Sequence, residues 1–587
     1  MVESSPTRSS DKSNTTGHSS GQHVEHVDMA SSLSVGYGKE RDLDQQHDIE
    51  TGENPNVHHR FSARLVLSLL AMSFLWVGSQ IPLYLFGGVI PDIYNDIGGY
   101  EIYTWLIIGY LIPNAALCPF VGALSDAFGR RGVAAVGQVL LIIGPVVTST
   151  AQSMGQAIAG QVFSGMGAGL NELIALAGTA ELVPVAKRGT YVGAVVFTIL
   201  PFCPAVLWAQ LIARASSWRY VGIVVAVWNL VGLLLVVFAY RDPARNAPAR
   251  NKMAILREVD WFGGFLSTAG IVLFMTGMQW GARQYEWSSV TVLMPFFMGS
   301  ALIVAFFVWE IKFAPFPMAP ARLFSKAKRS MIAILLITFL SGGNFFVLLL
   351  FWPTQIYNVY GDDPVGIGIR ALPVGFGIIV GAAIALVLIP LTRGRTTVLM
   401  LVSCIIMTAG TGAMSLARRD NLPAVYGILT VASLGVGAVI IPCSIIAQML
   451  CPTDLIGTIT AITLAIRYIG GAIGFTAYYN IFYAKLEPLL QTRTGFEVLL
   501  AGAADPNDLE TLTTLVILPA QAMFDQLREF IATSPRVLVK DGLYDTIVAS
   551  VQEQFVVAYQ YPYWMSIAFG GISILCCFAL QDVRKFM

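Results

Sequence analysis

Fourteen stretches of about twenty apolar residues, divided by short polar or Gly/Pro-containing breaks, run through this chain, and nothing else in it restricts the fold so severely. A bilayer core about 30 Å thick takes roughly 20 apolar residues per helix. Within lipid, a single segment satisfies its own backbone N–H and C=O groups only as a helix. The spans are read as Leu65 to Ile90, Tyr103 to Leu124, Val133 to Thr150, Gln156 to Val183, Tyr191 to Ala213, Tyr220 to Tyr240, Phe262 to Gly281, Ser289 to Ile311, Met331 to Tyr357, Ile367 to Leu391, Thr397 to Leu416, Val425 to Leu450, Thr458 to Tyr483 and Val556 to Leu580. Charge supports the reading: 12% of residues are Asp, Glu, Lys or Arg, against about 25% in soluble globular chains. The expectation is an all-α polytopic membrane protein.

An even number of spans places both termini on one side, and the basic residues say which. Connections assigned to the cytoplasm hold Arg130 and Arg131, Lys187 and Arg188, the group from Arg241 to Arg257, the group from Lys312 to Arg329, and Arg393 with Arg395; Arg584 and Lys585 follow the last span. The opposite connections hold only Arg214, Arg219, Arg283, Arg418 and Arg419 apart from the long one at 485–554. Positive charge stays inside, so both termini are expected in the cytosol and the long connection outside. Residues 1–60 are rich in Ser, His, Asp, Gly and Glu with almost no aromatics. Such a segment buries too little apolar area to offset its chain entropy, and a disordered cytoplasmic tail is expected. It has no apolar h-region of a cleaved signal, so the first span is expected to act as the membrane signal.

Composition also removes function classes. Lys plus Arg equals Asp plus Glu at 36 each, which gives no net basic field for nucleic acid. All six histidines fall within the first 59 residues, so the spans carry no imidazole for a metal, a triad or a proton relay. The seven cysteines lie mostly in apolar runs without CxxC spacing and read as small buried hydrophobes. Glycine-rich stretches such as Gly165 to Gly169 lack the GK[ST] of a phosphate loop. No cofactor, no metal and no enzyme activity is expected, and transport energy must come from a gradient.

Between spans two and three stands Gly122-Ala-Leu-Ser-Asp126-Ala-Phe-Gly129-Arg130-Arg131. Gly122 is read as letting helices approach, Gly129 as permitting a tight turn, and Asp126 with Arg130 as an ion pair at a helix end that latches a cytoplasmic gate. The segment resembles the GxLxDxxGRR signature of the major facilitator superfamily. Thr392-Arg393-Gly394-Arg395, between spans ten and eleven, keeps only its Gly-Arg end, as two symmetry-related halves would leave. Asp260-Trp261-Phe-Gly263 and Met278-Gln279-Trp280-Gly281 bracket span seven as in fourteen-span drug/proton antiporters with two extra central helices. Gly78 to Gly88, Gly167 to Leu173, Ala180 to Pro184, Pro201 to Pro204 and Tyr561-Pro562-Tyr563-Trp564 are similar to the fungal trichothecene efflux pump family, which borders the siderophore-iron transporters. The likeness covers about Phe61 to Met587. It implies two six-helix bundles, 61–240 and 331–587, flanking two extra helices and linkers at 241–330. Two departures stand out: Gln161 replaces the antiporter arginine four residues before Gly165, and span five keeps only Pro201 and Pro204 of its antiporter pattern.

An ionisable group at membrane depth costs about 2.5–3.5 kcal/mol on insertion scales and needs a reason to be there. Glu172 shares a helical face with Gly165, Ala168, Gly169, Ala175 and Thr179. It is the proton-coupling candidate, the alternative being a carboxylate locked to a neighbouring helix. Arg467 shares a face with Thr460, Thr463, Gly470, Gly471 and Gly474, and its charge demands an acid, a carbonyl, water or a ligand. Contact with substrate, contact with Glu172 and a fixed structural pair are all open. Asn171, Gln80, Gln210 and Asn344 are candidates to line a cavity for an oxygen-rich neutral molecule. Glu181 is expected in an interfacial pair with Lys187 or Arg188. Asp92 and Asp96 stand at the outer end of span one as exit-gate residues or solvated caps. The reading is a monomeric, multi-pass plasma-membrane transporter that exports a fungal secondary metabolite, toxin or xenobiotic in exchange for H+. Siderophore-iron uptake is the alternative, and a non-transporting membrane sensor is the reading from another class.

Overall fold

The computed structural model describes residues 63–582, apart from 184–187, 243–252, 254–256, 282–284, 362, 393–394, 453–454, 501, 522 and 539–540. The tail 1–60, Lys187, Arg393 and Gly394 lie outside the described residues. In chain order the helices are α1 (Ala63–Gly87), α2 (Ile90–Ile97), α3 (Trp105–Phe128), α4 (Arg130–Ser149), α5 (Met154–Leu182), α6 (Arg188–Phe197), α7 (Ala205–Ala215), α8 (Arg219–Phe238), α9 (Trp261–Trp280) and α10 (Val290–Lys312). They continue as α11 (Lys328–Phe346), α12 (Trp352–Tyr360), α13 (Pro364–Leu391), α14 (Thr396–Ala413), α15 (Leu422–Leu450), α16 (Ile456–Leu489), α17 (Gly495–Leu500), α18 (Leu509–Ala520), α19 (Phe524–Thr533) and α20 (Leu543–Cys577).

Among the described residues twelve helices are long and apolar enough to cross a membrane, with α6 joined to α7 and α11 to α12 as single spans. The sequence predicts fourteen. The two remaining predicted spans fall on α5 and α20, which are 29 and 35 residues long but are not among the twelve by apolar character. For α5 the reason is packing. A Cβ at Gly165 would stand 2.9 Å from the carbonyl carbon of Tyr110, and one at Gly169 2.8 Å from the Asn114 carbonyl oxygen. The helix gives up apolar bulk so that its backbone can touch that of α3. Gly165→Val should therefore force α5 off α3 at a cost of at least about 1–3 kcal/mol, read as a lower unfolding temperature and a smaller monodisperse fraction in detergent. Wild-type behaviour of this variant would contradict the contact.

The packing partners repeat along the chain. In the first part α4 packs on α5 and α8, α3 on α5, and α1 on α8; in the second, α14 packs on α15 and α20, α13 on α15, and α11 on α20. Contacts between the two sets run through α3 with α16 and through α7 with α13, an exchange of equivalent positions. Helices α9 and α10 pack on each other, and α9 also touches α3 and α16. The Asp260 carboxylate starts α9 by accepting from the Gly263 N–H at 2.9 Å, and it also accepts from the Trp309 indole at 2.9 Å.

Span five bends where its prolines predict: a short 3₁₀ turn, Leu200–Phe202, separates α6 from α7. Span nine contains a π-helical turn, Val347–Phe351, immediately before Pro353 near the start of α12. The long connection expected at 485–554 is largely helical instead. Helix α16 continues to Leu489, α18 and α19 follow, and α20 begins at Leu543. Polar residues such as Asp545, Gln552 and Glu553 end the hydropathic signal of the last span, but a helix needs only one apolar face to persist. Leu543, Ile547, Val551 and Phe555 supply that face and are buried.

Candidate functional site

Glu172 and Arg467 meet. Glu172, on α5, has no solvent exposure, and its Oε1 accepts from Arg467 Nη2 of α16 at 2.7 Å. Its other oxygen accepts from the Tyr468 hydroxyl at 2.6 Å. The Arg467 guanidinium also lies 5.0 Å from the Tyr468 ring centroid, within cation–π range. Residues 467 and 468 are successive on α16, so their side chains approach the carboxylate from two directions and use both oxygens. The small-residue face of α5 that predicts a cavity or a helix contact serves as the contact, because Gly165 and Gly169 bring α3 close and leave Glu172 against α16. A buried ion pair is nearly neutral for stability, since desolvation offsets attraction, but losing one partner leaves a bare charge at a cost of about 3–5 kcal/mol.

Arg467 also lines a cavity of about 2430 Å³, larger than the 300–1,000 Å³ of most ligand pockets. Trp76, Phe120, Leu173, Phe197, Ser444, Gln448 and Thr460 contribute to its wall, which reaches Asp126, Arg130 and Glu181 at the α3–α4 end. Most of this lining is apolar. Gln448 donates to the Thr460 hydroxyl at 2.9 Å, and Ser444 and Thr463 share a hydrogen bond of 3.3 Å. The Trp76 indole N–H is buried and has no hydrogen-bond partner among the described residues.

At the cavity's outer rim the gate motif departs from its expected arrangement. Gly129 adopts φ +82° between α3 and α4, the left-handed backbone a non-glycine residue resists. Around Gly122, by contrast, nothing lies within 4 Å of where a Cβ would be, and the residue faces the cavity instead of a helix. The sequence pairs Arg130 with Asp126; in the structure Arg130 forms an ion pair with Glu181 at 2.5 Å, while the expected pairing of Glu181 with Lys187 or Arg188 falls on side chains outside the described residues. Spacing along one loop does not reveal that the end of α5 comes closer. Arg131 fastens α4 to the end of α8, its guanidinium donating to the Val237 carbonyl and its backbone N–H to Asp242 Oδ1.

The opposite end is closed by tyrosines. Tyr94, Tyr100 and Tyr103 from the α2–α3 region contact one another, Tyr103 packs on Tyr479 with centroids 5.7 Å apart, and Tyr479 packs on Tyr483 at 4.5 Å. The hydroxyls of Tyr100 and Tyr483 are hydrogen-bonded at 2.6 Å, and Tyr100 also donates to the Ala520 carbonyl of α18 at 3.4 Å. These contacts join α2 and α3 to α16 and α18.

The polar cavity candidates are placed elsewhere. With its amide oriented to suit its neighbours, Asn171 donates to the Ala134 carbonyl and accepts from the Gln138 N–H, both at 3.1 Å, which ties α5 to α4. Gln80 accepts from the Tyr84 hydroxyl at 3.1 Å. Asn344 accepts from the Tyr478 hydroxyl at 3.0 Å. Gln210 donates to the Gly88 carbonyl at 2.7 Å and to Asp92 Oδ2 at 3.3 Å. None of the four lines the large cavity. Asp96 is exposed and pairs with Arg219 at 2.9 Å. Sequence reasoning misses Tyr468, whose only signal is its place beside a buried arginine, and the tyrosine closure. Tyr479 and Tyr483 are spaced to share a helix face, but their partners lie some 380 residues away in the chain.

Comparison with known proteins places this architecture. A family model described as "Fungal trichothecene efflux pump (TRI12)" matches residues 40–587. The chain is 29% identical over 357 residues to the MFS-type transporter pydD of an Acremonium species, covering 60% of this chain and 61% of that protein. It is 25% identical over 566 residues to the trichothecene efflux pump TRI12 of Fusarium sporotrichioides, covering 91% of this chain and 89% of the relative. Among solved structures it resembles a D-xylose–proton symporter, with a TM-score of 0.52, 13% identity and coverage of 88% of this chain and 98% of the other. A bacterial homologue of the lysosomal transporter Spinster gives 0.51, with 13% identity and 89% and 100% coverage. These relatives are transporters and not enzymes. With its helices, its repeated packing and a family match spanning most of its length, the chain is a multi-pass membrane protein and belongs to the fungal trichothecene efflux pump family of major facilitator transporters.

Proposed function

We propose that this protein exports a small organic molecule, a fungal secondary metabolite, toxin or xenobiotic, across the plasma membrane in exchange for H+. The observation that carries the reading is the Glu172–Arg467–Tyr468 contact, buried between helices of the two packing sets, with Arg467 in the cavity wall. Each state of alternating access needs contacts that the other breaks. A carboxylate that accepts a proton loses its attraction for Arg467, and the freed guanidinium then faces the cavity, so proton binding and separation of the halves become one event. The large, mainly apolar wall suits a bulky solute with a few hydrogen-bonding oxygens, which Gln448 can meet as a donor. On this reading α5 and α20 cross the bilayer to complete fourteen spans, the bundles are 61–240 and 331–587 with the extra pair between them, the termini are cytosolic, and the cavity opens to the cytosol. The unit is a monomer. The Arg130–Glu181 contact at the cavity mouth is rearranged when that mouth closes.

The test is transport by purified protein in vesicles with an imposed pH gradient, offered a trichothecene or a ferric siderophore. Trichothecene movement against its gradient, coupled to proton flow, is expected. Movement of the iron chelate alone would turn the assignment to siderophore uptake, and movement of neither under any ion gradient would remove transport altogether.

A further inference from the structure

Asp92 has no role in the cycle described so far. It lies in the first turn of α2, half-buried, at the end of the molecule that the tyrosines close. Its Oδ2 accepts from Gln210 Nε2, which also donates to the Gly88 carbonyl where α1 breaks into α2. Among the described residues Asp92 makes no ion pair. Asp96, one turn along α2, is already paired with Arg219 of α8 and accepts from the Trp218 indole, and Tyr94 beside it packs into the tyrosine cluster. Burial raises the Asp92 carboxyl from its usual range to about 6, and its backbone contact and the Gln210 amide pull it partly back. Water is near: Asp96 is exposed, and one helical turn is about 5.4 Å.

Gln210 rides on α7, the helix beyond the proline-broken turn, and α7 packs across the interface onto α13: Cβ atoms at Gly368 and Gly375 would press on Leu207 and Cys203. The hydrogen-bond donor to Asp92 therefore sits on a helix whose neighbours change whenever the halves move. A carboxylate in such a place gains or loses its donor, and with it its proton, as the structure alternates. We propose that Asp92 is a second proton-binding residue of the transport cycle, loaded from the membrane face opposite the cavity, and that Gln210 ties its protonation to the movement of the halves. The inference rests on the proton-driven reading above.

The experiment measures efflux of a preloaded trichothecene from cells expressing the full chain while external pH is stepped from about 4.5 to about 8, a range that spans the titration of a raised carboxyl. The wild-type rate is expected to change with a midpoint near 6. Asp92→Asn should flatten that profile. Gln210→Leu removes a hydrogen bond that favours the ionised form, so its midpoint should rise by roughly half a unit to one unit, an effect that a merely structural glutamine would not produce. If Asp92→Asn yields no folded protein, the Gln210→Leu midpoint decides. A wild-type profile in Asp92→Asn, or an unmoved midpoint in Gln210→Leu, overturns the assignment. Glu172→Gln is run alongside: if it stops pH-driven efflux while Asp92→Asn behaves as wild type, Asp92 is excluded and the proton-driven reading stands. If both variants remain pH-driven, both ideas fall.

Discussion

Glu172→Gln is expected to reduce transport driven by a pH gradient to the level of protein-free vesicles while leaving the protein folded in the membrane. The substitution preserves shape. A glutamine carbonyl still accepts from Arg467, and its amide can donate to the Tyr468 hydroxyl. What is lost is the ionisable group, and with it the only carboxylate hydrogen-bonded to Arg467 among the described residues. The stability cost should fall below the roughly 3–5 kcal/mol of breaking a buried pair outright, because the hydrogen bonds survive. Exchange of labelled for unlabelled solute without a gradient moves no net protons and should persist. That split distinguishes a lost coupling residue from a damaged fold. Full gradient-driven transport in this variant would retire Glu172 as the coupling group, and loss of both activities would make the pair structural.

The second large effect concerns the tyrosine closure. In the double variant Tyr100→Cys, Tyr483→Cys, a bifunctional thiol reagent long enough to replace the two rings should stop transport completely. Each single variant treated in the same way should continue to work. The two hydroxyls are 2.6 Å apart in this state, so bridging these positions holds the present arrangement. If the halves must part here for the solute to leave, a covalent bridge is incompatible with turnover. Of the native cysteines, Cys118, Cys404, Cys443, Cys451 and Cys577 are buried and Cys203 and Cys576 half-buried, and the single variants control for reaction at any of them. Undiminished transport by the bridged protein would show that the exit lies elsewhere.

The helical membrane character and the pairing candidates Glu172 and Arg467 are legible without coordinates, because each follows from the energetics of lipid. Neither a charge at depth nor a run of twenty apolar residues has many alternative explanations. The direction in which a polar residue faces is a different matter. Asn171 is one position from Glu172, yet it turns about 100° away and satisfies α4, and Gln80, Gln210 and Asn344 likewise find partners within the helix packing. A buried amide reads the same in sequence whether its partner is a neighbour or a solute. The last connection shows the reverse error: its polar residues hide a continuous helix whose other face is buried in the core. Glu181 shows the reach problem, since its partner Arg130 lies 51 positions back in the chain.

The π-helical turn at Val347–Phe351 has a mechanical corollary. Its extra residue per turn and the proline that follows interrupt the regular hydrogen-bond ladder of this span. Phe351, at the end of that turn, is lodged among Phe475, Tyr478, Phe482 and Tyr559. The joint is thus clamped by aromatic rings on one side and unlaced in its backbone on the other. On the far side of the turn, Tyr357 of α12 packs on Phe524 of α19 with ring centroids 6.0 Å apart. A span jointed in this way has a built-in place to bend between its two segments.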